Sequence, residues 1–263
     1  MKQRVWIFVL LITLLMTAAA QAKVVTRQIA YTHDNVALEG MLAYDDETQA
    51  RRPAILVVHE WWGLNDYVRR RAEKLAAMGY VAFAADMYGK GKVTNHPKQA
   101  GEWSKMVTAN TAFWQQRALA GLKVLMKQPQ TDPQRIAAIG YCFGGGTVQQ
   151  LVYAGAPVKG VVSFHGALQI PPAGVGGKTH AKILMCHGGA DPFAKPEQVQ
   201  AYLGAMAQSG LDYQFIIYGG AKHGFTNPGA DAYNIPALGY NANADRRSWK
   251  LMQDFFAEIF AAK

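Results

Sequence analysis

Short apolar runs recur along this chain at Ala54–His59, Val81–Asp86, Arg135–Gly140, Val158–His165, Lys182–His187 and Tyr213–Tyr218. Most are too continuous to be half-exposed, so they read as buried parallel strands. Between and after them lie helix-period segments near 64–78, 98–127, 145–154, 196–208 and 243–261. Strand and helix in alternation restrict the fold to the α/β class: an open, mostly parallel sheet with helices on both faces and right-handed connections. Upstream, Val24–Tyr31 and Val36–Tyr44 alternate apolar and polar residues around His33-Asp34-Asn35. That pattern predicts an antiparallel hairpin on one edge of the sheet.

The first 22 residues stand apart. Lys2 and Arg4 precede an apolar stretch from Val5 to Met16, and Ala20-Gln21-Ala22 offers a small-residue cleavage site. This is the pattern of a secretory signal peptide, and the stretch is shorter than the roughly 20 residues needed to span a bilayer. The reading is therefore a leader over 1–22, one domain over 23–263, no membrane span after cleavage, and a periplasmic or secreted destination.

In sheets of this kind ligands gather outside the carboxyl ends of the strands. One such end carries Gly140-Tyr141-Cys142-Phe143-Gly144-Gly145-Gly146, directly before a helical pattern. It matches a nucleophile elbow with cysteine as the nucleophile, where small neighbours prevent collision in a tight turn. The helix start beneath the sulfur favours negative charge on it. Asp191 and His223 follow at two later strand ends, in the order nucleophile, acid, histidine. Histidine would take the thiol proton while the carboxylate fixes its tautomer. Two backbone N–H groups would hold an oxyanion, one from Phe143 and one near Trp61.

Charge and cysteine usage narrow the alternatives. Of the net charge of +9, two charges come from Lys2 and Arg4, and the remaining cations are scattered apart from Arg69-Arg70-Arg71. That trio reads as a solvated helix face, and nothing resembles a nucleic-acid motif. The two cysteines, Cys142 and Cys186, would lie about two strand spacings apart, near 10 Å, which is beyond disulfide reach. His59, His165 and His187 all fall at strand ends but lack a recognised ligand spacing, so no metal is expected. The stretch 226–244, rich in Asn, Pro and Gly, reads as a long irregular loop that shapes access to His223.

His59-Glu60-Trp61-Trp62-Gly63, Gly140-Tyr141-Cys142-Phe143-Gly144-Gly145, His187-Gly188-Gly189-Ala190-Asp191 and Lys222-His223-Gly224-Phe225 together resemble the dienelactone hydrolase family over nearly the whole mature chain. The resemblance implies an α/β-hydrolase fold with no cofactor. It also implies a Cys142–His223–Asp191 triad acting through an acyl-thioester on a small ester or lactone such as a carboxymethylenebutenolide. It further implies that Glu60 exchanges hydrogen-bond partners with the thiol when substrate arrives. Two arginines bind the substrate carboxylate in that family, and their positions hold Lys90 and Asn227 here. That departure leaves open a general carboxylesterase or thioesterase acting on neutral esters, with Trp62, Tyr88 and Phe225 beside Trp61 at the mouth. A noncatalytic binding protein is the remaining alternative. The oligomeric state is not legible in the sequence.

Overall fold

A computed structural model describes residues 23–261, so the leader predicted over 1–22 lies outside the described residues. The strands are β1 (Val24–His33), β2 (Val36–Asp45), β3 (Arg52–Val58), β4 (Val81–Ala85), β5 (Thr131–Tyr141), β6 (Gly160–Phe164), β7 (Lys182–Gly188) and β8 (Tyr213–Tyr218). They form one sheet in the order β1-β2-β4-β3-β5-β6-β7-β8. β1 pairs antiparallel with β2, and β2 antiparallel with β4, while every later pairing is parallel. The α/β fold with its N-terminal antiparallel hairpin is therefore as expected. After β3 the chain adds β4 on one side and then crosses to β5 on the other, which opens a crevice at the carboxyl ends of β3 and β5.

The helices are α1 (Asp66–Ala76), α2 (Pro97–Thr108), α3 (Thr111–Met126), α4 (Phe143–Tyr153), α5 (Pro196–Ser209) and α6 (Ala242–Phe260). Side chains alternate across the pleat, so Leu56, Val58, Phe83 and Ala138 pack with α3, α4 and α5 on one face. Ile55, Val57, Ala84 and Ile139 pack with α1 and α6 on the other. Both faces are dry, which explains the unbroken apolar runs.

Three expectations change in the structure. The single helix expected over 98–127 is two, because Asn110 takes an extended backbone and its side-chain oxygen accepts the Phe113 N–H at 3.0 Å, capping α3. The loop expected over 226–244 contains a short 3-10 turn at Ala230–Tyr233 and gives way to α6 at Ala242. Arg71 does not lie on a solvated face: it is buried, pairs with Asp245 at 2.6 Å, donates to the Thr226 carbonyl, and lies over the Tyr67, Tyr141 and Trp249 rings. Charge runs are normally solvated, but α1 turns this one position toward α6 and the arginine finds an anion there.

Candidate active site

Cys142 occupies the step between β5 and α4 with φ 54° and ψ −114°, a conformation costing on the order of 1–3 kcal/mol for a residue with a side chain. The surroundings enforce it. Cys142 N–H donates to the Phe164 carbonyl at 3.1 Å, and the Cys142 carbonyl accepts the Gly145 N–H at 2.9 Å. A Cβ on Gly140 would come within 2.0 Å of the Gly144 carbonyl oxygen, and one on Gly144 within 2.3 Å of the Val58 carbonyl oxygen. The glycines flanking the elbow are thus a packing requirement of the β3–β5–α4 junction. Gly144 N–H is used by the His59 carbonyl at 3.0 Å, but Phe143 stands first in α4, where the helix supplies no acceptor for its N–H. Across the junction, the Gly63 N–H closes a turn onto the Glu60 carbonyl at 3.3 Å, a bond that does not engage the Trp61 N–H.

Asp191 follows β7 in a turn closed by its own N–H on the Gly188 carbonyl at 3.1 Å. Its carboxylate is divided between two donors, the Phe193 N–H at 2.9 Å and His223 Nδ1 at 2.7 Å. His223 itself is fixed by backbone pairing with Leu238 and by the Gly239 N–H on its carbonyl at 3.1 Å. With Nδ1 committed to the carboxylate, Nε2 is the nitrogen free to act in the cavity. Burial works against a charge on this ring. The electrostatic influence of the neighbouring Cys142 and the hydrogen bond to Asp191 outweigh that cost, raising His223 to about 10.

Cys142 and His223 share the wall of a cavity of about 490 Å³. Trp61, Trp114, Phe143, Phe193 and Leu238 supply most of the remaining wall, and no lysine or arginine among the described residues contributes to it. Among the residues expected to bind substrate, Trp62 is buried and stacks on Tyr233 at 4.1 Å, behind Trp61. Tyr88 lies behind Phe143, with ring centroids 5.3 Å apart. Phe225 packs against His165 and Tyr218. Lys90 is exposed and paired with Glu39 at 2.8 Å. Asn227 is buried and donates from Nδ2 to Glu60 Oε2 at 2.7 Å. None of these five is among the residues lining the cavity.

Glu60 is buried, which pushes its carboxyl up to about 7, while the Asn227 bond and the charges of His223 and Arg71 work in the opposite direction. Relative to its ordinary value of 4.5, the folded state holds its proton longer than the unfolded chain does. The stabilisation is complete below pH 4.5 and lost as pH rises toward 7. Wild type should therefore lose stability relative to Glu60→Gln over that window in urea titrations at stepped pH. A constant difference between the two would show that the carboxyl is not perturbed by folding.

The strand-end histidines disperse. His59 donates from Nδ1 to the Glu60 carbonyl at 2.5 Å and accepts the Met87 N–H at 3.2 Å. His165 bonds Thr226 at 2.7 Å through Nε2, and His187 packs against Phe215. Burial holds all three below the usual histidine range. Among the described residues no three potential ligands gather around a common point. Sequence reasoning missed Trp114, Ser104, Thr108, Gln169 and Phe193 in the cavity wall. The first three sit on the helices read as one, and Gln169 lies in a segment without a motif. Phe193 had a usable signal, since it stands two residues beyond Asp191. No described helix is long and apolar enough to cross a membrane.

The Dienelactone hydrolase family model matches residues 38–260. A solved structure titled as a dienelactone hydrolase-like promiscuous phosphotriesterase from metagenomic libraries is 36% identical, covers 90% of this chain and 99% of its own, and superposes with a TM-score of 0.87. Proteins from Aquifex aeolicus and Synechocystis sp., each named "Putative carboxymethylenebutenolidase", are 27% and 26% identical. The first match covers 78% of this chain and 87% of the relative, the second 88% and 96%.

Proposed function

The chain belongs to the dienelactone hydrolase family, and on that premise we propose that it cleaves a small carboxylic ester or lactone through Cys142, His223 and Asp191. One observation carries this reading: an Asp191-anchored imidazole and an elbow cysteine share one cavity wall. Cys142 Sγ, its proton held by His223, adds to the substrate carbonyl carbon. The resulting oxyanion accepts hydrogen bonds from the Phe143 and Trp61 N–H groups. Its collapse breaks the carbon–oxygen bond, and the departing oxygen takes the proton from His223, leaving an acyl-thioester. Water then adds to the thioester carbonyl while giving a proton to His223, and collapse returns the sulfur. Asp191 steadies the imidazolium throughout. Glu60, close enough to feel the His223 charge, is a second proton acceptor for the thiol once Asn227 releases it.

The absence of lysine and arginine from the cavity wall, with Lys90 engaged by Glu39, favours neutral acyl groups over substrates that carry a carboxylate. The leader pattern over residues 1–22 supports a periplasmic or secreted setting for the reaction. Acid quenching during turnover of p-nitrophenyl acetate should leave an acetyl group on the peptide containing Cys142 and none on that containing Cys186. Sustained turnover with no acetyl group on Cys142 in the quenched sample would remove the thioester from the scheme.

A further inference from the structure

A second cavity, of about 350 Å³, adjoins the first. The two share His223, Phe193 and Ala167, but only the first reaches Cys142 and Phe143. The second is bounded by Leu168, Ile170 and Ala201 and touches Asp191 instead. Phe193 stands between them, edge-on to the His223 ring with centroids 5.0 Å apart at 89°, and its N–H is tied to Asp191 Oδ1 at 2.9 Å. The divider is thus fastened to the same carboxylate that orients the histidine.

We propose that these are separate acyl and alcohol compartments, with Phe193 the residue that sets the boundary between them. The assignment deepens the hydrolase reading and rests on it. In the tetrahedral adduct the acyl chain stays on the carbon bound to sulfur, so it occupies the compartment that contains Cys142. The ester oxygen must face His223 to take its proton, and the alcohol it carries leaves past that ring. The cavity that touches His223 but not Cys142 is where that group lies. Its apolar rim suits an uncharged alkyl or aryl alcohol. A lactone keeps both parts joined in one ring, whereas two divided compartments fit an open-chain ester with a sizeable group on each side.

The test uses kcat/KM, which reports only steps up to departure of the alcohol. Wild type, Ala201→Phe and Thr108→Phe are compared on methyl acetate, benzyl acetate and methyl phenylacetate, with folding checked by circular dichroism. Filling the second cavity with Ala201→Phe should lower the ratio of benzyl acetate to methyl acetate about tenfold, the order of effect expected when a pocket loses room for a group. It should leave the ratio of methyl phenylacetate to methyl acetate within about twofold. Thr108→Phe, which narrows the first cavity, should do the reverse. Phe193→Ala, which merges the compartments, should bring both ratios toward one another. Ala201→Phe shifting the phenylacetate ratio, or neither variant shifting any ratio, overturns the assignment while leaving the hydrolase reading intact. Absence of Cys142-dependent turnover on every ester would instead sink the hydrolase reading and this assignment with it.

Discussion

Cys142→Ala should lower kcat by about 10⁶-fold and Asp191→Asn by about 10⁴-fold, with folding unchanged in both. In the proposed mechanism the two losses differ because the residues act at different removes from the carbonyl. Without sulfur there is no acceptor for the acyl group, and only the oxyanion donors and the cavity remain. With asparagine at 191 the nucleophile is present, but a neutral amide can donate to Nδ1 and so favours the tautomer that carries its proton on the wrong nitrogen. The 2.7 Å bond between Asp191 and His223 Nδ1 makes that exchange of roles direct. Combining the two substitutions should cost little more than Cys142→Ala alone, because residues that act as a unit are not additive. Steady-state rates on one ester for the three variants decide this. Additive losses would mean that Asp191 serves something other than the cysteine.

Arg71→Ala should destabilise the fold by roughly 3–5 kcal/mol, the cost of removing one partner from a buried ion pair. Arg71 and Asp245 keep only 7% and 15% of their side-chain surfaces exposed, so water cannot fully replace the lost partner. The guanidinium also bridges α1 to α6 and holds the Thr226 carbonyl, three residues beyond His223. Arg71→Ala/Asp245→Leu removes both charges and should recover part of the loss, since a well-packed apolar pair is often no worse than a buried ionic one. Urea midpoints with an unchanged denaturant slope would measure it. A loss below about 1 kcal/mol would place this pair with exposed salt bridges.

The fold was legible because the buried strands are apolar on both faces and most are separated from the next by a helical period, although β6 and β7 are joined through a short 3-10 turn at Val175–Lys178 instead. The elbow, acid and histidine could be placed because they stand immediately after strands, where chain order alone says which end of the sheet they reach. The break at Asn110 was hidden, since asparagine is tolerated inside a helix and only its extended backbone makes it a cap. Arg71 was hidden for a related reason: a run of three arginines reads as a face, although successive residues point in different directions around a helix. The cavity wall was the least accessible part. Trp114 and Leu238 come from segments far apart in the chain, and nothing in their local sequence says that they meet beside Cys142.

The two thiols of this chain sit in opposite chemical circumstances. Cys186 is buried on β7, and burial pushes it up to about 12, so it remains protonated and enclosed across the whole working range. Cys142 lies on the wall of a cavity that it shares with His223. An alkylating reagent therefore meets one accessible sulfur per folded molecule. If Cys142 is the nucleophile proposed above, stoichiometric labelling counts the competent sites in any preparation with no substrate in hand, and a single fluorophore or affinity handle can be installed without first deleting a competing cysteine.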